Sequence, residues 1–287
     1  MRIAWVTDST AFVPTHSNSK ENHIYIVPMN ILFGEREYQD GVDLSPEELF
    51  LKLKEVKVEV KTSQPSIGTF KELFEELSKD YDYIFSIHVS SHFSGTYSSA
   101  YQAATLLKDR LPNIICIDSK IISNPLTELI LYGQRLLHEG KDPQQIKEAI
   151  EKRIDSCETY VMVGSLEQLH KSGRMSGLSF FLGSVLNVKP MLAIEDGKLE
   201  VKDKVRSIKK GLSSMTDRLI HALATKRISK VSVLHGLNRG EALEWIEQLS
   251  IKYPEIEFGA YPLGAVIGVH AGANTIGISW FAEDEMN

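Results

Sequence analysis

The chain has 287 residues, of which 43% are apolar and 24% are charged, and its formal net charge is −6. A chain of this length and composition can bury sizeable cores, so we expect two folded domains rather than a disordered polypeptide. Because the 32 basic residues are interspersed with the 38 acidic ones, the sequence lacks a basic footprint for phosphates and excludes nucleic acid as a partner.

The apolar segments are too short for a membrane protein. None approaches the roughly 20 consecutive apolar residues of a membrane span, so we expect no stable membrane insertion. The first apolar run reaches Asp8 too early for the core of a signal peptide. Cys116 and Cys157 have neither CxxC nor metal-ligand spacing, so we expect reduced thiols and a cytoplasmic location.

The first half of the chain alternates strand and helix patterns. Ser45 and Glu48 have the spacing of a capping box that starts a helix at Pro46, and Ser66 precedes an apolar stripe of helical period. Strands are predicted at 3–6, 24–27, 29–33, 83–89 and 113–117, and helices at 46 to about 56, after 66, at 96–107, from 125 and from 143. This rhythm indicates a largely parallel sheet flanked by helices, an N-terminal α/β domain of residues 1–160.

The second half has a different pattern. Asp196 and Gly197 form a two-residue turn signal in an alternating segment from Pro190 to Val205, which predicts an antiparallel hairpin. Further strands are expected at 159–163, 231–234, 265–269 and 275–281, and helices from 165, at 207–226 and at 240–253. We therefore predict a C-terminal α/β domain of residues 161–287 with a mixed sheet. The apolar run 180–188 is expected to line a pocket or to pack in the core.

Three loops of the first half are rich in hydroxyl groups, namely 7–10, 62–66 and 90–96. Loops that follow parallel strands converge at one edge of the sheet, where ligands bind. Ser94, Gly95 and Thr96 stand at a helix N-terminus, which favours a carboxylate or a phosphate. Alternatively, Ser66, Ser94 and Thr96 are only helix caps, and Gly95 only permits a tight turn.

Ser94 is also the candidate nucleophile of an enzyme. However, the sequence around it is not the G-x-S-x-G elbow, and no histidine with a carboxylate partner can be assigned beside it. His88 and His92 are interpreted as hydrogen-bonded structural residues, and Asp8 and Asp118 as side chains that brace loops. We therefore predict neither a catalytic residue nor a metal site.

Two cationic segments and one histidine can recognise an anion. Arg174 lies on a glycine-containing turn and Arg206 follows the predicted hairpin; such side chains are often only solvated, but a guanidinium binds carboxylate or phosphate bidentately. His270 ends an apolar segment in which Gly268 allows close backbone approach. Its imidazole either contacts a ligand head group or bonds to a backbone carbonyl.

Several strings together resemble the DegV family, whose members include the FakB fatty-acid-binding proteins. They occur in the family's order along nearly the whole chain, and the set is more specific than any one of them. They are Thr7-Asp-Ser-Thr10, Thr62-Ser-Gln-Pro-Ser66, Ser90-Ser-x-x-Ser-Gly-Thr-Tyr97, Ile117-Asp-Ser119, Leu166-Glu-x-Leu169, Lys171-Ser-Gly-Arg174, Lys189-Pro190 and Gly264-x-Val-Ile-Gly-Val-His270-x-Gly272. Ser172 and Ala273 depart from the family, which often has glycine and proline there.

The resemblance implies a two-domain DegV-like α/β fold that holds a long-chain fatty acid, for example C16–C18, between the domains. It implies a carboxylate bound near Thr62, Ser94 and Gly95 with His270 close by, and Arg174 and Arg206 serving the head group or partner docking. The implied role is a carrier without cofactor. The resemblance also implies that a separate fatty acid kinase phosphorylates the bound acid to an acyl phosphate for phospholipid synthesis.

Two other functions are carried as alternatives. One is a serine-dependent hydrolase or phosphoryl-transfer enzyme that uses Ser94 on a small anionic substrate. The other is a small-molecule sensor or interaction module without lipid. The length and unsaturation of the acyl chain depend on side-chain packing that the sequence does not specify.

Overall fold

The protein is described by a computed structural model for residues 1–13, 22–55, 60–174 and 189–283. Its strands are β1 (Ile3–Asp8), β2 (Ile24–Val27), β3 (Asn30–Phe33), β4 (Arg36–Gln39), β5 (Val60–Ser63), β6 (Tyr83–His88), β7 (Ile114–Asp118), β8 (Cys157–Met162), β9 (Lys189–Glu195), β10 (Lys198–Val205), β11 (Lys230–His235), β12 (Glu257–Pro262) and β13 (Ile276–Phe281). Its helices are α1 (Pro46–Glu55), α2 (Ile67–Leu77), α3 (Thr96–Leu107), α4 (Asn124–His138), α5 (Pro143–Asp155), α6 (Leu166–Lys171), α7 (Ile208–Leu223), α8 (Arg239–Lys252) and α9 (Ala265–Ala271).

The first sheet is parallel and has the strand order β2-β1-β6-β7. Alternate residues of β1 serve the two faces of this sheet: Ala4 and Val6 pack with α2 and α3. Ile3 and Trp5 pack with α4 and α5. Because both faces are covered, every residue of β1 is buried, as expected for a parallel sheet flanked by helices. This part of the predicted fold is confirmed.

The second sheet has six strands in the order β10-β9-β8-β13-β11-β12. The pair β11 and β12 is parallel, and the other pairings are antiparallel. The predicted hairpin is β9–β10, and its turn residues Asp196 and Gly197 have φ values of 46° and 80°. The mixed sheet is therefore confirmed. The predicted domain boundary at residue 160 lies inside β8, and the division into two domains stays a prediction.

A small antiparallel sheet, β4-β3-β5, was not expected. The sequence predicted a polar loop at 62–66, but Thr62 and Ser63 belong to β5, where Thr62 pairs with Ile31. The sequence does not reveal this strand, because it has only four residues, is mostly polar and has no fully buried residue. The strands β4 and β12 are also absent from the prediction, and both are partly exposed.

The prediction of a strand at 265–269 was wrong, since this segment forms the helix α9. Six of its seven residues are buried, so the helix shows no polar face, and its sequence pattern cannot be distinguished from that of a buried strand. Close packing requires Gly268, because a Cβ there would lie 2.8 Å from the Phe50 ring of α1. The helix ends at Gly272, whose φ is 87°.

The helix starts follow the predicted caps. Ser45 and Glu48 exchange the reciprocal hydrogen bonds of a capping box. The Ser66 side chain accepts from the backbone N–H of Thr69, which confirms Ser66 as the cap of α2. The apolar run 180–188, which was expected to line a pocket or a core, lies outside the described residues.

Candidate functional site

The hydroxyl-rich loops meet at one cavity between the parallel sheet and the mixed sheet. Thr10 follows β1, Thr62 lies on β5 and Ser94 precedes α3, and all three line this cavity. Arg174, on the turn after α6, and His270, near the end of α9, line it as well. The structure thus brings together side chains that are more than 200 residues apart, such as Thr62 and His270.

The rest of the cavity is almost entirely apolar. Its walls come from the loop after β6, from β8 to β11 and from α9. The apolar lining residues are Met29, Val89, Phe93, Ile122, Val161, Val163, Leu169, Ile194, Leu199, Leu234, Leu263, Val266, Ile267 and Ala271. A cavity of this kind suits a ligand whose larger part is apolar.

Thr62 and His270 form the central polar contact. Thr62 Oγ1 lies 2.7 Å from Nε2 of His270. Burial, helped by the positive charge of Arg174, lowers the pKa of His270 to about 4, so the imidazole is neutral at pH 7. The other ring nitrogen, Nδ1, is buried and has no hydrogen-bond partner among the described residues. The ring therefore keeps spare hydrogen-bonding capacity beside the cavity.

Ser94 and Gly95 form the second part of the polar cluster. Ser94 is buried, and its Oγ lies 2.8 Å from Oγ1 of Thr96. Gly95 is the residue before α3 and has no side chain to cap the helix. A Cβ on Gly95 would lie 2.7 Å from Nε2 of Gln64, so a larger residue would displace the Gln64 side chain. Gln64, which the sequence did not single out, thus packs against the site.

Arg174 is half-buried and fixed in position. Its Nε donates to the carbonyl oxygen of Phe93 at 3.1 Å, and its Nη1 donates to the carbonyl oxygen of Ser172 at 2.6 Å. Burial lowers the pKa of the guanidinium from its ordinary high value, and the group stays charged. Ser172 has a φ of −79°, which any residue adopts, so glycine is not required there.

Arg206 is not part of this cluster. It lies just after the end of β10, is exposed, and is not among the described residues that line the cavity. Arg174 and Arg206 therefore have different surroundings, although the sequence suggested similar roles for them.

The remaining cavity hydroxyls are already engaged by the protein. Thr10 Oγ1 donates to Asp8 Oδ1 at 2.6 Å. Thr159 Oγ1 lies 2.7 Å from Ser279 Oγ, and Thr275 Oγ1 lies within 2.9 Å of two carbonyl oxygens of the α9 C-terminus. At the Thr62–His270 and Ser94–Thr96 contacts either partner can be the donor, so the groups with capacity for a ligand are concentrated at Thr62, Ser94, Arg174 and His270.

A surface depression adjoins the cavity at this cluster; we call it the mouth. It shares Thr62, Arg174 and His270 with the cavity and is otherwise lined by Leu53, Val60, Lys61, Gln168, Lys171, Ser172 and Val269. The mouth carries cationic side chains, and Lys171 forms an exposed ion pair with Glu167 at 2.6 Å. A ligand group bound at the cluster can therefore be reached from outside.

Asp8, His88 and Ser86 have the order of contacts of a catalytic triad, but they are inaccessible. His88 Nδ1 lies 3.0 Å from Asp8 Oδ2, and His88 Nε2 lies 2.6 Å from Ser86 Oγ. All three are 0% exposed. Burial alone would raise the pKa of Asp8, but the hydrogen bonds from His88, Thr10 and Val89 hold it below its usual value. Since His88 faces Ser86 and not Ser94, this geometry gives no base to a Ser94 nucleophile.

Asp40 was also missed by sequence reasoning. Its Oδ1 accepts from the backbone N–H of Ala265 at 3.1 Å, so it anchors the first turn of α9. Burial raises the pKa of Asp40 to about 6, although hydrogen bonds from Ser9 and from the N-terminus of α9 act in the opposite direction. A sequence signal was absent, because the carboxylate and the helix are 225 residues apart.

Fold and site together define an α/β protein in which a parallel and a mixed sheet enclose an apolar cavity whose mouth carries cationic side chains. Among the described residues, no helix combines the length and the apolar character needed to cross a bilayer. The chain belongs to the DegV family, whose model, described as uncharacterised proteins of that family, matches residues 2–283.

Individual relatives agree with this assignment. A DegV domain-containing protein of Halalkalibacterium halodurans is 33% identical over 283 residues, which cover 98% of this chain and 99% of the relative. The crystal structure of DegV from Bacillus subtilis, described as a fatty acid binding protein, has a TM-score of 0.88 at 34% identity and covers 99% of this chain and 100% of that one. A stearic acid-binding protein from Eubacterium ventriosum has a TM-score of 0.88 at 25% identity, with 98% of each chain covered.

Proposed function

We propose that this protein binds one long-chain fatty acid in the cavity, with the carboxylate at the mouth and the acyl chain among the apolar side chains. The observation that supports this most directly is the position of Thr62, Ser94, Arg174 and His270 at one side of a cavity whose other walls are apolar. Relatives described as fatty acid binding share the fold over nearly the whole chain, which supports the same ligand class.

The energetics favour such a ligand. An acyl chain of about 15 methylenes that leaves water contributes roughly 0.8 kcal/mol for each methylene, or about 12 kcal/mol in total. The loss of translational freedom and of chain flexibility offsets much of this gain. The hydrophobic driving force therefore suffices for tight binding only if burial of the carboxylate adds no large penalty.

The polar cluster can remove that penalty, because an ionised carboxylate must be hydrogen-bonded when it leaves water. We propose that the hydroxyls of Thr62 and Ser94 and the backbone N–H of Gly95 donate to the carboxylate. We further propose the tautomer of neutral His270 that carries its proton on Nε2, because this ring nitrogen then donates to Thr62 Oγ1 and leaves the Thr62 hydroxyl hydrogen for the ligand. Arg174 supplies the positive charge.

The open mouth supports a carrier role rather than catalysis by this chain. In this proposal the carboxylate faces the mouth, where a separate kinase phosphorylates it to an acyl phosphate for phospholipid synthesis. Arg174 serves the head group, because it lines the cavity, and Arg206 serves partner docking, because it is exposed away from it. A C16–C18 acid, two domains that meet near residue 160 around the ligand, and a cytoplasmic location complete the proposal.

The test is identification of the bound ligand. We expect protein purified from a bacterial host to release a stoichiometric amount of long-chain fatty acid on denaturation, detected by mass spectrometry. After delipidation, the folded protein should take up added fatty acid again. A folded, delipidated protein with no affinity for any long-chain acid would contradict the proposal.

A further inference from the structure

The β9–β10 hairpin forms one wall of the cavity. Ile194 of β9 is paired directly with Leu199 of β10 across the hairpin, and both side chains line the cavity. The pair lies next to the turn at Asp196 and Gly197. The tip of the hairpin therefore closes this side of the cavity.

Two contacts fix the hairpin tip against the first half of the chain. Ser90 Oγ donates to the carbonyl oxygen of Gly197 at 2.8 Å. Lys120 Nζ lies 2.6 Å from Asp196 Oδ1. A Cβ on Gly197 would lie 2.5 Å from Ser90 Oγ, so the fit depends on glycine at a position where φ is also positive. These two contacts fix the position of the hairpin tip and therefore of this wall of the cavity.

A second surface depression lies beyond this wall; we call it the rear depression. Its lining includes Lys120, Tyr160, Asp196 and Lys226, and it has Thr159 and Ile194 in common with the cavity.

The rear depression and the mouth are on different flanks of the cavity. The mouth meets the cavity at Thr62, Arg174 and His270, and none of the described residues lines both the mouth and the rear depression. For an acyl chain that enters the cavity from the mouth, the rear depression is therefore a separate space behind the hairpin wall.

Ile194 is the side chain that separates the cavity from the rear depression. The other shared residue, Thr159, is buried in β8 and hydrogen-bonded to Ser279 of β13. Ile194 is only half-buried, and its cross-strand partner is the apolar Leu199. Loss of the Ile194 side chain would join two existing spaces, whereas loss of Thr159 would break a hydrogen bond inside the sheet.

We propose that Ile194, supported by Leu199, is the stop that sets the longest acyl chain this protein accommodates. This inference rests on the proposed function, because it requires the carboxylate at the mouth and the methyl end at the hairpin. The methyl end of a longer acid meets the Ile194 side chain, so its extra methylenes find no apolar space to fill and gain no burial. Affinity then stops rising with chain length.

The experiment measures the affinity of delipidated protein for a homologous series of even-numbered saturated fatty acids. While each added methylene is buried, affinity rises about fourfold per methylene. In the wild type this rise stops at a certain chain length, the break point. In Ile194→Ala we expect the break point to move to longer acids, and in Ile194→Phe to shorter ones.

Two control variants separate the stop from a general change in the cavity. Ile267→Ala removes the same atoms from another wall, on α9, where Ile267 packs on Leu234 and Leu263 instead of bordering the rear depression. It should weaken binding at every length without moving the break point. Glu200→Ala changes an exposed residue next to Leu199 and should reproduce the wild-type curve.

The outcomes distinguish this inference from the proposed function. If the Ile194 variants bind fatty acids with the wild-type break point, the stop lies elsewhere and the inference is wrong, while fatty acid binding stands. If neither the wild type nor any folded variant binds an acid of any length, the proposed function itself fails. Should Ile194→Ala not fold, the shift to shorter acids in Ile194→Phe decides the question.

Discussion

Thr62 donates or accepts one hydrogen bond with a histidine that carries no charge at neutral pH. The contact of 2.7 Å joins β5 to α9, two elements far apart in sequence. Because the pKa of His270 is lowered to about 4, the attraction for an anion at this point comes from the hydroxyl and from Arg174 rather than from an imidazolium. The Thr62 hydroxyl is therefore the group whose removal tests the head-group site with the smallest change in shape.

Thr62→Val is expected to lower the affinity for a long-chain fatty acid about 10- to 100-fold, the loss of one hydrogen bond to a charged group. Displacement of a fluorescent fatty acid from delipidated protein measures this change. The corresponding change for a fatty alcohol of equal length should be smaller, since an alcohol has no charge. Thr105→Val, on the exposed side of α3, is the matched control and should bind as the wild type does. An unaltered affinity in Thr62→Val would remove Thr62 from the site.

Asp40 predicts an unusual pH dependence. Its pKa in the folded protein is about 6, above the ordinary 3.8, so the folded state holds this proton more tightly than the unfolded state. The contribution to stability is present below pH 3.8 and is lost as the pH rises through about 6. The stability that is lost over this pH range is roughly 3 kcal/mol. In Asp40→Asn, urea titrations of ligand-free protein should lack this loss between about pH 4 and 7.

His270 acts in the opposite direction and serves as the internal control. Its folded pKa of about 4 lies below the ordinary 6.5, so the unfolded state binds the proton first as the pH falls. Its contribution to stability is present above pH 6.5 and is lost as the pH falls towards 4. His270→Gln should therefore change the slope of the unfolding free energy against pH in the direction opposite to Asp40→Asn. If the unfolding free energy had the same slope against pH in both variants, Asp40 and His270 could not both be buried.

At the scale of elements, α9 is the helix on which the site depends. It carries Val266, Ile267 and His270 into the cavity, is anchored at its first residue by Asp40 and packs on α1 at Gly268. Its position is set by close contact rather than by helix propensity, because an isolated helix of seven residues is not stable in water. Small changes at the α1–α9 contact should thus be transmitted to His270.

Gly268→Ala is expected to destabilise the protein by about 1–3 kcal/mol, since its Cβ would lie 2.8 Å from the Phe50 ring. It should also weaken fatty acid binding by moving His270. The matched control is Gly240→Ala in the first turn of α8, where a Cβ meets nothing within 4 Å. That variant should be neutral or up to about 1 kcal/mol more stable. Thermal unfolding measures both, and equal effects would show that contact with Phe50 does not position α9.

The same element shows where sequence reasoning reaches its limit. The hairpin and the helix caps were predictable, because their residues signal turns and helix starts locally, whereas the polar loop predicted at 62–66 begins inside β5. The strand predicted at α9 was wrong, because a helix buried on all sides has no polar face to reveal its period. Asp40 could not be found at all, since it acts on a helix that is distant in sequence and follows no motif.

At the scale of the whole molecule, the cavity joins the two halves of the chain. Its lining comes from residues 10–122 and from residues 159–275, so neither half encloses the space alone. The halves meet at the cavity both through apolar side chains and through the Thr62–His270 contact. A ligand that fills it should therefore stabilise both halves together, which makes ligand removal a test of the complete architecture.

Delipidation is expected to lower the free energy of unfolding, because a ligand that binds only the folded state stabilises it by mass action. At a free fatty acid concentration of about 100 times Kd, the gain is about 2.7 kcal/mol. Differential scanning calorimetry of delipidated protein with increasing acid should show this rise. Because each half supplies part of the cavity, all unfolding transitions should move to higher temperature with the acid. A shift confined to one of two separate transitions would mean that one half alone holds the ligand.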